Sequence, residues 1–420
     1  MISAFQSKLF KETSFYTSIN ILDKVIPFFL MPIYTRIISK EEIGYFVLYQ
    51  ALVQLFFPIL TLSLQNAVVL NFFNLKRKEF SEYFTSSLFF FLIAFLIISS
   101  LLIYYSDIFI ALSGFVKIGF YFIIVIIFLK YLTELRQGLW RNQKKLKEYG
   151  VFTIIQTILR SLFSIGFVIY FNLGWEGILL GYFIGYLLMS IYSLLSFFKD
   201  GYLNFNSVFS TSYVKDAFKI SYPLSLHSIS AWSGTTINRV IINNVMGAKF
   251  TADFGVASTY NVISTVLFDA LNKAYVPNLF ERLSRGFDLP NQQLKGMIRF
   301  YNFSIIGVTL IISFAGYYSV GLLFGKEYLD TRIFIFPLTL ASGFVGLYKI
   351  HVNFIFYSKK TLYVTLITLI TAIINLPISL YLIFKFGLLG AAYSILLINF
   401  LYFILSLLIS LNLRKKYGYY

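Results

Sequence analysis

The chain has 420 residues, of which 58% are hydrophobic and only 13% are charged, and its mean hydropathy is +0.77. Soluble domains carry about 25% charged residues, so this composition excludes an ordinary soluble protein and indicates one whose solvent is a lipid bilayer. The absence of cysteine and the presence of only two histidines exclude disulfides, thiol nucleophiles and multi-histidine metal centres.

Stretches of about twenty mostly apolar residues, the length that crosses a bilayer as an α-helix, recur along the whole chain. The loops between them are too short to hold a soluble domain. We therefore predict an all-α polytopic membrane protein with about twelve transmembrane helices. The predicted spans are 14–34, 45–70, 83–105, 116–137, 150–171, 177–198, 219–244, 254–276, 298–324, 331–357, 361–384 and 387–412.

Positive charges alternate between the two sides of these predicted spans. The two terminal segments and the loops after even-numbered spans carry 22 of the 35 Lys and Arg residues, whereas the loops after odd-numbered spans carry seven. Because cytoplasmic loops are the ones enriched in Lys and Arg, we predict that both termini are cytoplasmic. This arrangement explains the formal net charge of +17 without a nucleic acid as partner.

The two halves of the chain resemble each other at an offset near 215 residues. The segment DKVI at 23–26 corresponds to NRVI at 238–241, and the Lys-Lys pair at 144–145 corresponds to the pair at 359–360. Parallel repeats of six spans each pack around an axis along the membrane normal, with a pathway between them. The alternative is chance similarity among apolar helices. The repeat predicts two domains, an N-terminal six-helix bundle at 1–208 and a C-terminal six-helix bundle at 209–420.

Three cations, Lys24, Arg160 and Arg239, lie inside predicted spans with polar neighbours on the same helical face. An ionisable group at this depth is costly, so it usually faces a wet cavity or a partner. Several such cations in one cavity would attract an anion, above all a phosphate. The alternative is that the polar faces only form interhelical hydrogen bonds. The predicted diphosphate site comprises Lys24, Arg160, Arg239, Asn20, Asn238, Gln156 and Thr235.

A second group of ionisable side chains is a candidate for ion coupling or for secondary lining of the cavity. Each member also has an interpretation without function. Asp269 and Lys273 are four residues apart and would neutralise each other on one helix, and Lys349 would extend to the membrane surface. The group comprises Asp23, Asp269, Lys273, Lys349 and Glu134.

Several segments together resemble one family. They are DKVIPFFLMPIYTR at 23–36, KEEIG at 40–44, the basic loop after span two, NQKK at 142–145 and the Asn-Arg pair at 238–239. With the length and the twelve spans, they are similar to the bacterial polysaccharide (O-antigen) flippases of the multidrug/oligosaccharidyl-lipid/polysaccharide exporter superfamily. The likeness covers essentially the whole chain.

The resemblance implies a fold and a function. The fold is two six-helix bundles related by pseudo-two-fold symmetry, V-shaped with a central cavity. The function is to flip an undecaprenyl-diphosphate-linked oligosaccharide from the cytoplasmic to the periplasmic leaflet of the bacterial inner membrane, by alternating access and without enzymatic activity. Family members have a cationic lumen, to which Lys24, Arg160 and Arg239 would correspond.

Coupling to H⁺ or Na⁺ is expected from related branches, with no other cofactor. Further expected partners are a polysaccharide polymerase and a chain-length regulator. The alternatives are an ion-coupled multidrug or small-molecule exporter of the same superfamily, and a membrane-embedded polymerase or glycosyltransferase. A drug-cation exporter would favour acids in its cavity, whereas the candidates here are mainly bases. Such enzymes typically have a large outer loop, which this sequence does not offer.

Overall fold

The computed structural model describes residues 2–204, 209–284 and 291–417, and in these ranges the chain is almost entirely α-helical. A short 3₁₀ helix, Lys326–Thr331, precedes the thirteenth α-helix. The α-helices are α1 (Ile2–Ile37), α2 (Lys40–Thr61), α3 (Leu64–Asn71), α4 (Arg77–Tyr104), α5 (Ser106–Ser113), α6 (Lys117–Asn142), α7 (Leu146–Tyr170), α8 (Gly174–Lys199), α9 (Thr211–Thr235), α10 (Ile237–Met246), α11 (Ala248–Ser284), α12 (Asn291–Phe324), α13 (Arg332–Tyr357) and α14 (Thr361–Tyr417).

The predicted spans coincide with these helices. In the described ranges, nine helices are long and apolar enough to cross a membrane. The last of them, α14, contains the two final predicted spans. These two spans meet at Gly387, whose φ of 59° and ψ of −135° are not helical. The first and seventh predicted spans lie outside this set and correspond to α1 and to the pair α9–α10. The chain is thus an all-α polytopic membrane protein, as predicted.

Two predicted spans are broken rather than continuous. The second is divided into α2 and α3 by Leu62 and Ser63, whose φ angles of 49° and 53° lie in the left-handed region. The seventh is divided into α9 and α10 at Thr236, which has φ −125° and ψ −19°. Broken helices inside a membrane protein leave backbone groups that require other partners, and in transporters they often form binding sites.

The start of α2 follows a local rule that the sequence contains. Ser39 precedes the helix, its hydroxyl accepts from the backbone N–H of Glu42, and the Glu42 carboxylate accepts in turn from the N–H of Ser39 at 2.9 Å. This reciprocal pair satisfies N–H groups that a helix start leaves without partners. The same carboxylate accepts from the N–H of Trp175 at 3.2 Å, so it also ties the start of α8 to α2.

Turns at equivalent positions of the two halves share one backbone conformation. Lys144 and Lys359 both adopt the left-handed region, with φ of 57° and 55°. Gly174 and Gly387 both have a positive φ, of 55° and 59°, although the ψ of Gly387 is −135° and lies outside the left-handed region. Left-handed conformations are rare for residues with a side chain, so their recurrence at the matched lysines supports the predicted internal repeat.

Contacts divide the chain into two compact units, and α9 packs within the first of them. The Ser225 hydroxyl donates to the Pro58 carbonyl at 2.6 Å, and the Trp232 indole donates to the Ala51 carbonyl at 2.8 Å. The predicted domains at 1–208 and 209–420 divide the chain by membrane topology and stay a prediction. The first unit is Met1–Leu30 with Ile37–Trp232, and the second is Met31–Arg36 with Ser233–Tyr420.

The second unit has an aromatic and aliphatic core formed by α11, α12 and α13. Phe268, Tyr275, Ile305, Ile350 and Phe354 are all at most 1% exposed and pack together. Lipid tails are as apolar as this core, so the cluster stabilises the unit through close van der Waals packing rather than through transfer out of water.

In the first unit, α7 and α8 approach each other closely at Gly181. A Cβ atom at this position would lie 2.2 Å from the backbone nitrogen of Ser164 and 2.5 Å from its Cα atom. Backbone atoms cannot move aside as a flexible side chain can. Only glycine therefore permits this helix pair to pack as it does.

We expect Gly181→Ala to lower the free energy of unfolding by about 1–3 kcal/mol, the usual cost of overpacking. Gly166→Ala is the matched control, because Gly166 lies on α7 and a Cβ there would meet nothing within 4 Å. The control should be neutral or stabilising by up to about 1 kcal/mol, since alanine favours a helix over glycine. Thermal unfolding midpoints in detergent measure both. Equal midpoints for the two variants would contradict the close approach of α7 and α8.

Candidate functional site

Arg160 is the centre of a polar cluster in the membrane-spanning part of the first unit. Its side chain is 13% exposed, and its Nη2 atom lies 3.1 Å from Oδ1 of Asp23 on α1. Its Nη1 donates to the Tyr186 hydroxyl at 2.8 Å. The guanidinium also lies over the rings of Tyr186 and Tyr182 on α8, at 4.9 and 5.4 Å from their centroids. Arg160 is therefore neutralised by one carboxylate and stabilised by two aromatic faces.

The sequence places these groups together through helical spacing. Thr157 lies one turn before Arg160 on α7 and donates to the same Asp23 oxygen at 2.5 Å. On the facing helix, a Cβ at Gly185 would lie 2.6 Å from Cγ of Arg160, so glycine leaves room for the arginine side chain. Tyr182 and Tyr186 are four residues apart and so share one face of α8.

The predicted residue Gln156 lies next to this cluster but is only 5% exposed. Its Oε1 atom accepts from Nε2 of Gln137 at 3.3 Å, and the same nitrogen lies 3.1 Å from the Thr153 hydroxyl. This arrangement matches the alternative stated for the polar stripes, an interhelical hydrogen-bond network. Glu134, a predicted coupling candidate, pairs with Lys130 at 3.5 Å on α6.

In the second unit, the structure brings Asp269 and Lys349 together across α11 and α13. The Lys349 ammonium contacts the Asp269 carboxylate directly, and the two side chains are 19% and 38% exposed. The Lys349 ammonium thus reaches an acid on a neighbouring helix, and its extension to the membrane surface stays a prediction. The sequence predicts Lys273, one turn after Asp269 on the same helix, as the partner of this carboxylate. The structure shows that Lys349 on α13 is also a partner. Close by, Asn353 donates to Oδ1 of Asn272 at 2.8 Å.

Asn238 and Arg239 lie directly after the break in the seventh span and have different environments. Asn238 is 2% exposed and donates to the Ser394 hydroxyl at 2.8 Å and to the Ala391 carbonyl at 3.2 Å, so it holds α10 to α14. Arg239 is half-buried, and no described side chain makes a hydrogen bond or ion pair with it. It lies seven residues before Met246, the last residue of α10, which corresponds to roughly 10 Å along the helix axis.

The predicted site is therefore only partly assembled from described groups. Asp23 joins Arg160, and Asp269 joins Lys349, whereas Asn20, Lys24 and Thr235 lie outside the described side chains. Sequence reasoning missed Tyr182 and Tyr186. A signal for them existed, namely two tyrosines four residues apart in a glycine-containing span that follows the arginine-bearing one.

Comparison with known proteins decides the family. The model of the family described as "Polysaccharide biosynthesis protein" matches residues 9–282, more than half of the chain. The chain belongs to this family. Among its curated relatives, the capsular polysaccharide biosynthesis protein CapF of Staphylococcus aureus is 22% identical over 402 residues, covering 91% of this chain and 94% of the relative.

Solved structures show the fold of the family member. The chain is similar to the lipid II flippase MurJ in an inward closed conformation, with a TM-score of 0.76 at 15% identity, covering 94% of this chain and 87% of that one. It is also similar to an inward-facing multidrug resistance transporter of the MATE family, with a TM-score of 0.67 at 14% identity, covering 96% and 94%. The family match confirms the predicted resemblance as far as polysaccharide biosynthesis, and the chain has the fold of these two transporters.

Proposed function

We propose that the protein flips an undecaprenyl-diphosphate-linked oligosaccharide, the repeat unit of O-antigen or of a similar surface polysaccharide. The transfer runs from the cytoplasmic to the periplasmic leaflet of the bacterial inner membrane by alternating access, with both termini in the cytoplasm. The observation that carries the proposal is Arg239, a half-buried cation in the seventh predicted span that has no ion pair with any described side chain.

The surroundings of Arg239 favour an anionic ligand. A charged group inside a span costs about 2.5–3.5 kcal/mol on insertion scales unless something compensates it. Arg239 is in the first turn of α10, where the helix dipole attracts negative charge. A diphosphate headgroup offers several oxygens to a guanidinium fork, whereas the carried glycan requires only polar and aromatic neighbours.

In the first unit, Arg160 can bind phosphate once Asp23 releases it. In the observed state the Asp23 carboxylate occupies one edge of the guanidinium, at 3.1 Å. Protonation of Asp23 removes that competitor and frees the arginine for the diphosphate. Proton coupling through Asp23 is accordingly part of the proposal.

The test is a flipping assay with the purified protein in liposomes, using a fluorescent undecaprenyl-diphosphate oligosaccharide. We expect Arg239→Gln to lower the flipping rate about tenfold, because one charge-assisted hydrogen bond is worth about 1.5 kcal/mol. Arg299→Gln is the matched control, since Arg299 is exposed on α12 of the same unit. The control should flip at the wild-type rate.

Two results would overturn the proposal. One is a wild-type protein that leaves the labelled lipid in its original leaflet but moves an organic cation, as a multidrug exporter would. The other is that deletion of the gene causes no accumulation of lipid-linked repeat units in the inner leaflet. An unchanged Arg239→Gln rate would remove this residue from the site, and with it the observation on which the proposal rests. A polymerase and a chain-length regulator are the partner proteins expected to act after the flipped lipid appears.

A further inference from the structure

A cavity of about 460 Å³ lies in the first unit, at the ends of α4, α6, α7 and α8. These are the ends on the side that carries the excess of Lys and Arg, the predicted cytoplasmic face. Three cations and three aromatic rings form most of its lining. They are Arg77, Lys145, Lys199, Phe72, Phe80 and Tyr202.

The aromatic wall of this cavity is held rigidly. The Tyr202 ring packs edge-on against Phe80 and Phe72, with centroids 5.3 and 6.3 Å apart. The Tyr202 carbonyl accepts from the Ser81 hydroxyl at 3.1 Å, and its own hydroxyl accepts from Nε2 of Gln143 at 2.7 Å. Burial raises the pKa of Tyr202, so the phenol stays protonated and keeps its proton for a ligand in the cavity.

The cations of the cavity are not cancelled by its acid. Asp200 is the acidic residue of the lining, and its carboxylate lies 2.7 Å from Nη2 of Arg136, which is 3% exposed behind the wall. Arg77 donates to the Asp200 carbonyl at 3.2 Å and is thereby oriented at the rim. Lys145 and Lys199 are exposed. The cavity thus combines a net positive rim with an apolar, aromatic wall.

We propose that this cavity binds the phosphate headgroup of an anionic phospholipid from the leaflet on that side of the membrane. The cavity lies at the ends of candidate membrane-spanning helices, the position at which basic pockets between helices attract anionic lipid headgroups. The rings of Phe72, Phe80 and Tyr202 suit the glycerol and the first carbons of the acyl chains. The site is separate from the Arg160 cluster and does not depend on which lipid-linked substrate is flipped.

Native mass spectrometry of the full-length protein, titrated with phosphatidylglycerol or phosphatidylcholine, measures the binding. The test variant is Arg77→Gln, Lys145→Gln and Lys199→Gln combined. The matched control combines Lys215→Gln, Lys219→Gln and Lys360→Gln, three exposed lysines elsewhere on the same predicted side. Both variants lose three positive charges, so general attraction to an anionic surface falls equally. We expect the test variant to lose about tenfold more affinity for phosphatidylglycerol than the control.

A second variant keeps every charge. Leu75 lines the cavity, and Leu75→Trp would fill part of it. We expect this variant to lose phosphatidylglycerol affinity while its thermal unfolding midpoint stays within a few degrees of wild type. Equal losses in the two triple variants, or an unchanged affinity of Leu75→Trp, would overturn the proposal. Titration with inorganic phosphate distinguishes the sources, because phosphate binding as tight as phosphatidylglycerol binding would identify a free-anion site and contradict the lipid.

Discussion

Exchange of Arg160 for glutamine is expected to lower the flipping of the lipid-linked oligosaccharide about a hundredfold. In the proposed mechanism, this guanidinium passes from Asp23 to the diphosphate and makes two charge-assisted hydrogen bonds there. Each such bond is worth about 1.5 kcal/mol, and 1.4 kcal/mol corresponds to a factor of ten. The liposome assay measures this rate directly. Arg160→Lys should retain more activity, since it keeps the charge but loses the planar fork.

The same exchange also affects stability, and the two effects must be separated. Removing the arginine leaves Asp23 without the cation that lies 3.1 Å away. A fully buried pair would lose about 3–5 kcal/mol, but Asp23 is 39% exposed and solvent compensates part of the loss. We expect the variant to fold and to reach the membrane in reduced amount, so rates are compared per molecule of inserted protein.

A double variant distinguishes a ligand from a positioning residue. Asp23→Asn alone is the reference, because it removes the proposed coupling group and keeps the arginine. If Arg160 serves only to hold Asp23, then Asp23→Asn combined with Arg160→Gln should flip as fast as Asp23→Asn alone. If Arg160 binds the diphosphate, the double variant should recover membrane levels and flip more slowly than Asp23→Asn alone, and we expect this second result. Equal rates for Asp23→Asn and the double variant would contradict a role for Arg160 in substrate binding.

The membrane-spanning architecture could be predicted because hydropathy is a local property. The predicted span 116–137, for example, corresponds to α6 (Lys117–Asn142), and the predicted span 177–198 corresponds to α8 (Gly174–Lys199). The Ser39–Glu42 capping box can likewise be recognised in the sequence, since both partners lie within one turn. In each case the information lies within a window of a few residues.

The breaks in the helices were not predictable in the same way. Leu62 and Ser63 adopt left-handed conformations although neither residue type favours them. The Thr61 hydroxyl accepts the N–H of Ser63 at 3.2 Å, which compensates part of the lost helical bonding. The sequence remains apolar on both sides of Leu62 and Ser63, so hydropathy alone predicts α2 and α3 as one continuous span.

Partner choice within the site was predictable only for local pairs. Lys130 and Glu134 are four residues apart on α6, and the structure shows their ion pair. Asp269, in contrast, also reaches Lys349, 80 residues further along the chain, and Asp23 pairs with Arg160, 137 residues away. Such pairs depend on how helices pack, which a sequence without tertiary information does not specify.

Arg136 offers the largest expected effect on stability. It is 3% exposed, its guanidinium lies 4.3 Å from the Trp140 ring centroid, and its Nη2 is 2.7 Å from the Asp200 carboxylate. We expect Arg136→Met to lower the free energy of unfolding by about 3 kcal/mol, because Asp200 is left with an uncompensated, largely buried charge. Lys117→Met is the control, since Lys117 and its partner Asp107 are 58% and 84% exposed. Unfolding of the control in detergent should match that of wild type.

The double variant Arg136→Met with Asp200→Asn separates charge from shape. Nε and Nη1 of Arg136 have no hydrogen-bond partner among the described residues, so the native pair already leaves buried donors unsatisfied. Removing both charges should therefore recover most of the stability lost by the single variant. If Arg136→Met costs no more than Lys117→Met, then Asp200 is compensated by water instead of by Arg136. Its free charge would then oppose the cations of the cavity, and the proposed phospholipid site would lose its electrostatic basis.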